Sequence, residues 1–179
     1  MKPSVIYCLL LVMAFPAAAQ EKLETDPFDL SSAQDKVSEL GIVTKSGVDA
    51  LENQARELFN AGSCTQAIPV LEDYAKKANW LANLIAQGLE PYYGASYDDR
   101  KDYPPAKARN LIPMERMANS YKQKRNIAFA MLGECHITNG DKETAIPVLF
   151  RALDLISVDN ETWWFRTRDN LYSIVEVSF

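Results

Sequence analysis

Histidine is nearly missing from this 179-residue chain: His136 is the only one. A histidine base or metal ligand works with partners, and no second His, nearby Cys or paired carboxylate lies at ligand spacing from it. Cysteine is scarce as well. Cys64 and Cys135 stand far from any C-x-x-C spacing, which excludes a thioredoxin-type redox motif and a zinc knuckle. There is no glycine-rich phosphate loop, no Gly-x-Ser-x-Gly elbow and no zinc-protease motif. Asp98-Asp99-Arg100 with Asp102 lacks the alternating acids and closing Glu of an EF-hand, and reads as a solvated loop. A basic stripe is missing too. The formal net charge is −5, with Lys and Arg interleaved among acids, so the usual footprint of nucleic-acid binding is not there. No cofactor or metal is expected, and the chain does not read as an enzyme.

Long apolar runs are confined to the N-terminus. Lys2 precedes an apolar stretch, Val5 to Phe15, which Pro16 ends before the small residues Ala17-Ala18-Ala19. The order of positive charge, short apolar core and small residues is that of a secretory signal. It falls short of the roughly 20 residues of a stable membrane span. Cys8 sits inside the apolar run rather than at a cleavage point, so lipid attachment is not expected. The expectation is residues 1–19 as signal peptide, an exported, periplasmic mature chain from Gln20, and no membrane span after cleavage.

A polar lead follows over residues 20–45, with one helix near Ser32 to Leu40 stopped by Gly41. A helical domain over 46–179 comes next. Val48, Leu51, Ala55, Leu58 and Phe59 recur at the three- and four-residue spacings of an amphipathic helix, and Gly62 ends it. A second helix carries Ala67, Leu71, Tyr74 and Ala78 on one face, and a third runs from Trp80 to Leu89. Pro91 to Pro105 has breakers at both ends and reads as a long loop. Further helices are expected over Ala106–Lys124, Arg125–Thr138, Lys142–Ile156 and Glu161–Val177. No segment has a strand's period, so the class is all-α.

The pentapeptide Ala67-Ile68-Pro69-Val70-Leu71 recurs as Ala145-Ile146-Pro147-Val148-Leu149, and Gly62 and Gly140 stand at the same distance ahead of it. In the later copy, Phe129, Leu132-Gly133, His136, Gly140, Ala145, Leu149 and Ala152 follow the order of the tetratricopeptide pattern. Asn126 to Asp159 therefore resembles a tetratricopeptide repeat, with His136 where a Tyr is common and Ser157 where a Pro usually starts the next repeat. The earlier copy, Val48 to Leu81, resembles it more weakly, with Gln54-Ala55 in place of Leu-Gly. The resemblance implies an α-solenoid of antiparallel helix pairs. The 44 residues between the copies are expected to form a third, degenerate pair, and the last helix a cap. With a pair interposed, Cys64 and Cys135 are expected to lie beyond the roughly 7 Å reach of a disulfide.

The resemblance also implies a ligand groove along the first helix of each pair. Its positions are Asp49, Glu52, Arg56, Phe59 and Asn60 in one copy, and Ile127, Ala130, Glu134, Ile137 and Thr138 in the other. The Lys-Asn-Arg clamp of chaperone-binding members is not reproduced, and Glu52 and Glu134 would oppose a peptide carboxylate. His136 takes a helix-packing position. Tyr92, Tyr93 and Tyr97 in the long loop are candidate anchors, because tyrosine gives large contact area at low entropy cost; the alternative is that they pin the loop. The functional expectation is a protein- or peptide-binding scaffold in the cell envelope. A small-ligand or glycan-binding repeat domain and a metal-dependent enzyme are the alternatives.

Overall fold

In the computed structural model, residues 31–177 are described. They contain seven helices and no strand: α1 Ser31–Leu40, α2 Lys45–Asn60, α3 Cys64–Gln87, α4 Tyr97–Lys101, α5 Pro105–Thr138, α6 Lys142–Leu155 and α7 Glu161–Ile174. The expected signal peptide and cleavage site lie outside the described residues. Among those described, no helix is long and apolar enough to cross a membrane.

Local chemistry sets most helix ends. Thr44 accepts a hydrogen bond from the Gly47 N–H at the start of α2, and Asp141 accepts from the Thr144 N–H at the start of α6. The turns closing the first helix of each copy are the same. Ser63 N–H bonds back to the Leu58 carbonyl, and Asp141 N–H to the His136 carbonyl, both at 2.9 Å. Between these partners Gly62 and Gly140 take φ of +70° and +81°. This is the Schellman stop, whose left-handed residue favours glycine.

Two expected boundaries do not exist. Trp80–Leu89 is not a separate helix, because α3 runs unbroken from Cys64 to Gln87. Ala106–Lys124 and Arg125–Thr138 are one helix of 34 residues. Neither Lys76–Trp80 nor Lys122–Ala128 contains Gly or Pro, so nothing in the backbone chemistry stops the helix at those points. The middle segment is therefore the far half of α3, a turn with α4, and the near half of α5 returning, in place of the expected degenerate pair.

Packing follows from this. α2 packs on α3, α3 most extensively on α5, α5 on α6, and α6 on α7. Ala78, Ala82 and Ala128 are fully buried in the main core, where small side chains allow close helix approach. Leu71, Tyr74 and Met131 fill the same core. In the later copy a Cβ on Gly133 would lie 2.5 Å from Leu149 Cγ, so only glycine fits there. Ala55 and Leu71, at the matching positions of the earlier copy, are also fully buried.

The direct α3–α5 seam overturns the expectation for the cysteines. Cys64 and Cys135 form a disulfide, with Cα atoms 4.8 Å apart. No helix pair separates them, because α3 and α5 pack directly on each other and the segment between the copies forms the far ends of these two helices and their connection.

Candidate functional site: a groove across α2, α5 and α7

The C-terminal ends of α2 and α5 face a common space that α7 also borders. Between them is a cavity of about 450 Å³ lined by Phe59, Asn60, Glu134, Ile137, Thr138 and Arg166, with Asn170, Gly62 and Cys64 at its edges. Five of the expected groove positions thus meet in one place. Asn60 and Thr138 are exposed, while Phe59 and Ile137 are half-buried walls.

α7 supplies what sequence reasoning missed. Arg166 bonds both Glu134 oxygens, Nε to Oε1 at 2.5 Å and Nη2 to Oε2 at 2.8 Å. Asn170 donates to the same carboxylate. The Arg166 guanidinium also lies 5.4 Å from the Phe59 ring centre and 5.2 Å from that of Trp163. Phe59 and Trp163 have ring centres 6.4 Å apart, and Trp163 packs toward Ala130 on α5. A Glu134–Arg166 spacing of 32 residues was the available signal, close to one repeat length.

A second cavity, about 530 Å³, opens toward the start of α2, where Asp49 and Glu52 face Tyr121 and Lys124 of α5. Lys124 reaches Glu52 at 2.7 Å and Asp49 at 3.0 Å, and the Tyr121 hydroxyl donates to Asp49 at 2.9 Å. Arg56 pairs with Glu52 at 3.0 Å. The hydrogen bond from Lys45, with those from Lys124 and Tyr121, holds the Asp49 carboxyl down at about 2. Glu52 and Glu134, expected to repel an anionic ligand, are both neutralised from within the fold. Ile127 and Ala130 are buried in the helix packing and line neither cavity.

Beneath Glu52 lies Tyr74, fully buried, with a hydroxyl that has no hydrogen-bond partner. Burial, and then the negative charge of Glu52, push its pKa up. His136 is buried, and its Nδ1 sits 3.2 Å from Asp141 Oδ2, tying the end of α5 to the cap of α6. Among the described residues no three His, Cys, Asp or Glu side chains form a group suited to a metal.

The tyrosine loop has its own anchor. Arg100 binds Glu115 at 2.6 Å and donates to the Ala95 and Tyr93 carbonyls. Tyr92 is buried, bonds Glu115 at 3.2 Å and meets Tyr103 edge-on at 5.1 Å. Tyr93 donates to Asn119 at 2.8 Å. At about 100° per residue, Glu115 and Asn119 lie on roughly the opposite face of α5 from Met117, Tyr121 and Lys124 of the second cavity. Tyr92 and Tyr93 are therefore loop pins. Tyr97 is the exposed member, 78% accessible with Lys101 over its ring. No tyrosine of the loop lines the groove.

No protein-family model matches this chain, and neither a curated protein nor a solved structure is similar to it.

Proposed function

We propose that this chain is an exported helical-repeat protein of the tetratricopeptide kind, binding a peptide segment of a partner protein in the α2–α5–α7 groove. One observation carries the reading. Phe59 and Ile137, 78 residues apart and equivalent in the two copies, wall the same open cavity with Asn60 and Thr138. Direct α3–α5 packing supports it in part, since it sets the second helix of the earlier copy against the first helix of the later one, joined here by a long hairpin in place of a simple array's short turn. On this reading α7, which packs on α6 and touches α5, is the first helix of a third repeat. The Cys64–Cys135 disulfide supports export, because such bonds persist in oxidising compartments.

With its carboxylates paired internally, the groove offers apolar walls and neutral hydrogen-bonding groups, suited to an uncharged peptide stretch with one or two apolar anchors. Peptides selected from a random display library on the mature chain test this. Thr138→Trp and Asn60→Trp place an indole in the cavity from exposed positions. Each is expected to weaken the selected peptides about tenfold or more while leaving the melting temperature unchanged. Equal binding by both variants contradicts the proposal.

A further inference from the structure

On the other side of α5 from the groove lies a cleft of about 340 Å³, bounded by α3, α5 and α6. Its polar wall is Arg125, Arg151, Lys76 and Asn79, its apolar floor Phe129, Leu132 and Ala75. Arg125 is half-buried, and its guanidinium is held by neutral acceptors alone. Nη1 donates to Asn79 Oδ1 at 2.5 Å, and Nε and Nη2 donate to Asn126 Oδ1 at 2.9 and 2.8 Å. Asn126 is itself buried and fixed by its own bond to the Leu155 carbonyl at 2.7 Å. Arg151 arrives from α6 and stacks over the Phe129 ring at 4.6 Å.

Three cations thus line one cleft, in a chain whose formal net charge is −5. Among the described residues none of the three is paired with a carboxylate, although the exposed Glu72 also lines the cleft. A partly buried guanidinium without a counter-charge is costly, and a second one beside it adds repulsion. Burial and then Arg151 lower the Arg125 pKa, the mark of that uncompensated charge. Three of the five guanidinium N–H groups of Arg125 are used, which leaves donors for an oxyanion.

We propose that this cleft is a binding site for a carboxylate carried on an apolar group, the oxygens held between Arg125 and Arg151 and the apolar part laid on Phe129 and Leu132. The volume suits a small organic acid or the last residue of a peptide. The site is independent of the groove, and it stands or falls separately.

The test uses the full mature chain in calorimetric and NMR titrations at low salt. The probes are 3-phenylpropionate, its uncharged amide, inorganic phosphate, and a short peptide ending in Phe with a free or an amidated C-terminus. The expected result is binding of 3-phenylpropionate or the free-acid peptide, with shifts around Lys76, Arg125, Phe129 and Arg151, and at least about tenfold weaker binding of the matching amide. Binding of the free acid assigns the site to small acids, and binding of the peptide alone assigns it to a chain terminus. Arg151→Gln, at an exposed position, should lose about tenfold in affinity without a change in melting temperature. Arg125→Gln is read beside it because its side chain also holds Asn79 and Asn126. Acid and amide binding equally, no binding of either acid, phosphate binding as tightly as the acids, or an unaffected Arg151→Gln overturns the proposal.

Discussion

Arg166 on α7 grips both carboxylate oxygens of Glu134 on α5, and this pair is the main polar link between α7 and α5. Bidentate geometry makes it stronger than an ordinary surface pair, but the Arg166 side chain is about half exposed and can return to water. Glu134→Ala is expected to cost only about 1 kcal/mol overall. Its effect should be local: amide hydrogen exchange should accelerate along α7 and not along α3. Uniform acceleration through the core would show that α7 does not move as a separate unit.

Tyr74 presents the opposite case, a fully buried ring whose hydroxyl has no partner. Leaving a buried hydroxyl unsatisfied costs about 1–3 kcal/mol, so Tyr74→Phe is expected to be neutral or stabilising in urea unfolding. Tyr74→Ala, which also empties the core, is expected to cost about 3–5 kcal/mol. A large loss on Tyr74→Phe would mean that the hydroxyl is satisfied in solution.

The disulfide closes a sequence separation of 71 residues. On the chain-entropy account a loop of that size contributes about 4.4 kcal/mol, and typical stabilisation by a disulfide is about 2–4. Cys64→Ser with Cys135→Ser should lower stability by that amount, and peptide mapping without reductant should recover the linked pair. Free thiols in protein taken from an oxidising compartment would contradict both.

Helices flanked by glycine or capping residues were legible in the sequence. Gly62 and Gly140 mark the turns, and the repeated pentapeptide marks the buried faces of α3 and α6, where Ala67, Leu71, Ala145 and Leu149 are fully buried. The lengths of α3 and α5 were not legible, because segments such as Lys76–Trp80 carry no residue that marks either a stop or a continuation. The error about the cysteines came from dividing both helices: an assumed interposed pair set their distance. Five positions of the site were legible: Phe59, Asn60, Glu134, Ile137 and Thr138. Arg166 and Asn170 come from a helix whose sequence has only a faint repeat pattern. The basic cleft was invisible, because Lys76, Arg125 and Arg151 sit on three helices and form no stripe on any one of them.

Asp49 makes the chain's acid stability sensitive to one carboxyl. Its pKa falls from an ordinary 3.8 to about 2 through hydrogen bonds from Lys45, Lys124 and Tyr121. A depressed folded-state value stabilises the fold above the unfolded value, and that stability is lost as pH falls through the folded one. The loss belongs between about pH 4 and pH 2, reduced in size by solvent because the side chain is partly exposed. Asp49→Asn should be less stable than the parent at neutral pH and show a shallower decline across that window. Parallel acid limbs would remove Asp49 from the account.

The central claim is that the groove across α2, α5 and α7 holds a peptide, and amide chemical shifts of the labelled protein test it most directly. On titration with a library-selected peptide, the account predicts saturable shifts clustered at Arg56–Gly62, Glu134–Thr138 and Arg166–Asn170, with the Pro91–Pro104 loop unmoved. Shifts centred on Tyr97 and its loop, or on Arg125 and Arg151, with the groove silent, would contradict it.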